Sequence, residues 1–182
     1  MSLNANFCEA VRELFAAFAG QRIEGASCVE MALLGDDTTP TFEHPDLPFV
    51  QATILELVLS AAGRIQVRTW MDDDTKCGLL AQSVTSERAL ERAWSDGGAS
   101  IYRYRSLTAF HGQTVDGVDL RTDGAGVVAE VRLQVAGDGI HLVAGEVYEE
   151  MDGRLTIKPD DESVLIFFGD DARGRTAFDA PA

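Results

Sequence analysis

A chain of 182 residues with 46% hydrophobic and 25% charged residues has an ordinary globular composition. It suits one domain over residues 1–182, and at this length a chain buries roughly 70% of its extended surface without staples. Thirty acidic against fifteen basic residues give a net charge of −15, which argues against a nucleic-acid backbone or an anionic membrane surface as partner.

A basic partner remains compatible with that charge. Cys8, Cys28 and Cys77 are odd in number and widely spaced, with no CxxC pair, so neither a zinc site nor a disulfide framework is expected. Reduced, buried thiols in a cytoplasmic protein are the expectation. The N-terminus lacks the basic flank and apolar core of a signal peptide. No apolar run approaches the roughly 20 residues of a membrane span.

In chain order, Asn6 to Ala19 reads as an amphipathic helix with Phe7, Val11, Leu14, Phe15 and Phe18 on one face. Asn6 and Glu9 have capping-box spacing, and Gly20 stands where a C′ glycine belongs. Ser27 to Leu34 reads as a strand ended by Gly35-Asp36-Asp37. Thr38 to Pro48, with three prolines and His44, reads as a long loop of the kind that often carries function.

Val50 to Met71 is ambiguous. Thr53, Glu56, Ser60 and Arg64 would share one side of a helix. A hairpin through Ala61-Ala62-Gly63, with Gly63 left-handed, explains the β-branched content better. It places Leu59 opposite Ile65, Leu57 opposite Val67 and Glu56 opposite Arg68. Asp72-Asp73-Asp74 is then an acidic turn and Cys77 to Val84 a strand. Ser86 caps a short helix over Glu87 to Ser95, ended by Asp96-Gly97-Gly98. Ala99 to His111 reads as a strand with Tyr102 and Tyr104 on one face and Arg103 and Arg105 on the other. Val115 to Leu120 adds another.

The most regular stretch runs from Val127 to Glu149. Val127, Ala129, Val131, Leu133 and Val135 alternate with Val128, Glu130, Arg132 and Gln134 at period two. A two-residue turn at Gly137-Asp138 would set Val135 opposite Ile140, Leu133 opposite Leu142, and Ala129 opposite Glu146. In that register His141 faces Gln134 and looks ordinary. Met151-Asp152-Gly153 makes a second three-residue loop, setting Glu146 opposite Lys158. Pro159 to Glu162 reads as a turn and Ser163 to Phe168 as a strand buried on both faces. The tail, 171–182, reads as frayed.

The expected fold is therefore α+β: a mainly antiparallel β-sheet, a meander of hairpins, packed with an N-terminal helix and a second short helix. Two lobes, 1–85 and 86–170, are conceivable. In its acidic balance, N-terminal helix and antiparallel strands the chain is loosely similar to type III secretion chaperones, which would imply a protein partner.

No GxSxG, P-loop, GxGxxG or HExxH is present. Five Asp-Gly pairs read as turns rather than a calcium loop. Asp72, Asp73 and Asp74 have the shape of a Mg²⁺ or DxDxT loop, but Lys76 replaces the Thr. His44, His111 and His141 have no ligand spacing, so no metal and no cofactor are expected. Glu146 is the anomaly: a carboxylate beside small apolar residues can act as acid or base, unless Lys158 neutralises it. Trp70, Trp94, Tyr102 and Tyr104 are candidates to line a ligand pocket with that pair, although packing is the commoner use of such rings.

The expected function is a non-enzymatic binding or accessory protein in the cytoplasm, acting through a sheet face or edge on a protein partner with a basic or hydrophobic surface. The alternative is a small-molecule binder or small enzyme with a pocket between sheet and helices. Self-association is compatible with both.

Overall fold

The computed structural model describes residues 5–35, 39–45, 47–71, 77–85, 100–135 and 138–169. Its elements are α1 (Ala5–Ala16), β1 (Ile23–Met31), β2 (Phe49–Leu59), β3 (Gly63–Met71), β4 (Cys77–Ser83), β5 (Tyr102–Ser106), a 3-10 turn (Thr108–Phe110), β6 (Val115–Thr122), β7 (Val128–Val135), β8 (Asp138–Glu149) and β9 (Leu155–Phe168). The fold is mainly antiparallel sheet with one N-terminal helix, curled into a half-barrel. The expected second helix, Trp94, the Asp72–Asp74 turn and the tail lie outside the described residues.

The sheet forks at β2. Ala52 pairs with Glu30 of β1 on one edge and with Val164 of β9 on the other. Past Thr53 the second edge changes partner, and Leu55 to Leu59 pair with β3. One wing is therefore β3–β4 and the other β9–β8–β7–β6, with β1 and β5 along the far edge of β2. Alternation puts Leu55, Leu57, Leu59, Ile65, Val67, Leu133, Leu142 and Ile166 on the inner face, each at most 1% exposed. Phe15 and Phe18 enter that core from the helical segment.

The wings meet where Gly78 of β4 faces Val127 and Val128 across the gap. A Cβ on Gly78 would overlap the Val127 side chain. Helix α1 covers this seam, with Phe7 5.5 Å from the Trp70 ring and Cys8 and Val11 beside Leu79. A second, smaller apolar cluster lies on the outer face of the sheet, where Leu33, Leu34 and Leu47 of the 32–48 loop cover Phe49, Val143, Leu165 and Phe167. The same loop sends Glu43 to Arg103 and Arg105 (3.7 and 3.5 Å). Those two arginines hold Glu30, fully buried, at 2.6 and 2.7 Å.

Several expectations need correction. Val50 to Met71 is a hairpin, but Leu57 pairs with Ile65 and Glu56 with Gln66, two residues from the expected register. Glu56 is accordingly held by Arg64 and Gln66, while Arg68 bonds Gln82. The central hairpin is shifted by the same amount: Leu133 pairs with Ile140, Val131 with Leu142 and Val135 with Asp138. The connection thus falls at 136–137, outside the described residues. A two-residue slip leaves every side chain on its own face, so apolar alternation cannot oppose it.

Ala129 is a bulge, because Thr122 pairs with Val128 while Arg121 pairs with Glu130. The bulge turns Val128 rather than Val127 into the core. The expected turn at Pro159–Glu162 is instead a bulge within one long strand. Gly145 pairs with Pro159 and Ala144 with Val164, leaving Asp160 to Ser163 without partners on β8. Asp160 takes φ 57 there. Helix α1 ends at Ala16, short of Ala19; β1 starts at Ile23 and stops at Met31; the 99–111 strand shrinks to Tyr102–Ser106.

Candidate functional site: a polar depression on the outer sheet face

Strands β6, β7 and β8 carry apolar residues inward, so their alternate residues form the outer face. Register puts Asp119 opposite Arg132, Arg121 opposite Glu130, and Arg132 opposite His141. These five side chains, with Leu120, line a depression of about 220 Å³. Glu130 is its fixed centre. Arg121 Nε donates to Oε1 at 2.7 Å, and His141 Nε2 lies 2.9 Å from Oε2. The His141 contact above all, helped by Arg121, holds the Glu130 carboxyl down to about 2 although burial opposes ionisation. The imidazole is 9% exposed and lies 5.9 Å from the Phe167 ring, at the border of the outer apolar cluster.

Arg132 stands differently. It is half-buried, and both neighbouring carboxylates have other partners. Glu130 is committed to Arg121 and His141, and Asp119 Oδ2 accepts from Gln134 at 3.0 Å. Among the described residues nothing accepts from the Arg132 guanidinium. A carboxylate-fixed imidazole is a component of acid–base machinery. No Ser, Thr, Cys or Tyr lines the depression. The arrangement is suited to holding a charged group.

The residues singled out by sequence are dispersed. Glu146 and Lys158 are the expected cross-strand neighbours on β8 and β9. Lys158 nevertheless places its ammonium 3.9 Å from the Tyr148 ring centroid, and Glu146 hydrogen-bonds Ser163. Burial first, then Asp161 and Glu162 on the bulge, push the Glu146 carboxyl above its ordinary range. Trp70 packs under α1 at the seam, where the free space is about 10 Å³, less than one water. Tyr104 lines a separate outer depression of about 280 Å³ with Ser27, Glu56 and Arg64. Tyr102 sits on β5 opposite Met31. These positions do not converge on one cavity.

His141 faces Arg132, not Gln134. That correction carries the site, since the shifted register also brings the imidazole within a diagonal of Glu130. The available signal was the run of polar residues Arg121, Glu130, Arg132 and His141 at outward positions of three successive strands. Among the described residues no group of three His, Cys, Asp or Glu is placed to hold a metal, and no helix is long and apolar enough to cross a membrane. No family model, curated protein or solved structure matches the chain.

Proposed function

We propose that this chain is a non-enzymatic binding protein acting on a protein partner through the outer face of the β6–β7–β8 wing. The observation that carries the reading is Arg132, half-buried on that face with no acceptor among the described residues. At about 220 Å³ the depression is smaller than the ~300–1,000 Å³ of typical small-molecule sites, which favours one side chain of a larger partner. Glu130 and His141 form a rigid floor, as a recognition site requires.

The net charge of −15 favours encounter with a partner of basic surface, and the local guanidinium then demands one complementary acceptor. Long-range attraction sets the approach; the local demand sets the orientation. Three free, buried cysteines suit a reducing, cytoplasmic compartment.

The test is affinity capture from the host with the wild-type chain, with Arg132→Glu, and with Arg68→Glu on the opposite wing. The reading predicts a partner retained by wild type and Arg68→Glu and lost with Arg132→Glu. Retention by all three, or loss of capture in both variants alike, overturns it.

A further inference from the structure

We infer that the β6–β7–β8 depression is a carboxylate-binding site in which Arg132 supplies the docking fork. This rests on the binding role just proposed and names the group that the site takes. A guanidinium has five N–H donors in a planar fork that matches the two oxygens of a carboxylate. Arg132 lines the depression, while Glu130 on the same face is engaged by Arg121 and His141 and Asp119 Oδ2 accepts from Gln134. The strands hold the fork in place. Arg132 is paired on both sides, with Asp119 on β6 and His141 on β8, so its backbone position is set from two directions.

Charge selects the kind of anion. Within the depression Arg121 is balanced by Glu130, and Arg132 is the guanidinium left for a ligand, with the Asp119 carboxylate directly across the β6–β7 strand pair from it. A monoanion matches one guanidinium. A phosphate dianion would bring a second negative charge among Glu130 and Asp119, where like charges repel. A planar carboxylate, from an Asp or Glu side chain or a chain terminus of the partner, is therefore the favoured ligand, ahead of phosphate.

The experiment is an NMR titration of the isotopically labelled protein with acetate, with inorganic phosphate and with chloride, at constant ionic strength. It follows the Arg132 Nε–H and the His141 ring. A blocked glutamate (N-acetyl, N-methylamide) forms a further arm that distinguishes a peptide side chain from a free small acid. Saturable shifts are expected with acetate and with blocked glutamate, and weaker ones with phosphate.

Arg132→Ala should weaken acetate binding roughly tenfold or more, the loss expected for a charge-assisted pair. Arg132→Lys, which keeps the charge but loses the fork, should fall between. Asp119→Asn should tighten binding by removing the competing carboxylate. Matching His141 spectra among the variants establish that the floor is intact. Shifts that chloride reproduces, binding that survives Arg132→Ala, or tighter binding of phosphate than of acetate overturns the inference. If acetate fails while Arg132→Glu still loses the captured partner, this inference falls and the binding role stands.

Discussion

His141 on β8 and Glu130 on β7 meet at 2.9 Å across two strands, on the outer side of a sheet whose inner side is wholly apolar at the same positions. The contact sets a pH signature. Glu130 is held at about 2 in the folded chain, below the ~4.3 of an unperturbed glutamate, so the folded state binds fewer protons than the unfolded state between those values. Its contribution is complete above about pH 4.5 and is lost as pH falls toward 2. Glu130→Gln should cost about 1–2 kcal/mol near neutrality, after discounting for the solvent that reaches Arg121. Denaturant unfolding of both proteins from pH 7 to 2 should show the gap closing on the acid side. A gap that stays constant with pH would contradict the assignment.

The Glu30 cluster makes a stronger demand. Glu30 is fully buried and each of its oxygens faces a guanidinium, from Arg103 and Arg105. Glu30→Ala leaves two arginines facing each other with Glu43, at 3.7 and 3.5 Å, as their remaining carboxylate among the described residues. The expected loss is about 3 kcal/mol, the low end for a broken buried pair because both arginines partly reach solvent. Equilibrium unfolding checks it; a loss under about 0.5 kcal/mol, the range of ordinary surface changes, would show that the cluster contributes little.

Glycine requirements differ by cause at three positions. Gly63 and Gly153 take φ of 72 and 80° in open surroundings, so a side chain meets only the backbone penalty. Gly63→Val and Gly153→Val should each cost about 1–2 kcal/mol. Gly78→Val should cost more, because its side chain would push Val127 away and part the seam under α1. Thermal unfolding of the three variants gives the ranking directly. A Gly78→Val protein as stable as the other two would mean that the wings are not pressed together there.

Glu146 predicts the opposite pH trend to Glu130. Burial, with Asp161 and Glu162 beside it, raises its carboxyl above the ordinary range. A raised folded value favours the protonated form, so stability is fullest below the ordinary range and declines as pH rises through the raised value. Glu146→Gln should therefore stabilise the protein at neutral pH and have little effect in acid. A Gln variant less stable than wild type at pH 7 would show that Lys158 dominates after all.

The hairpins, the left-handed glycines and the inner apolar faces were readable because each rests on a local rule: period-two alternation, or a turn that needs positive φ. The 150s hairpin came out in the correct register, Glu146 opposite Lys158. The other two were displaced by two residues, since Leu57 finds an equivalent apolar partner in Val67 or Ile65 and the pattern has no preference. The outer site was hidden for the same reason. His141 gains its meaning from Arg132 and Glu130 only when the register is right, and Arg121 comes from a third strand. Pro159 to Glu162 reads as a turn because Pro-Asp-Asp is turn chemistry, yet β8 pairs with the residues on both sides, and β2 with those after it, so Asp160 to Ser163 are an excess within one strand. The fork at Thr53 and the seam at Gly78 depend on contacts between distant segments, which no local rule contains.

The central claim, that recognition takes place on the outer face of β6–β8, is tested most directly by amide hydrogen exchange of the chain alone and bound to its captured partner. The account predicts added protection along 116–122, 130–134 and 139–143, with β3, β4 and the Asp160–Ser163 bulge unchanged. Protection concentrated on β3–β4 or on the bulge, with none on β6–β8, would contradict it.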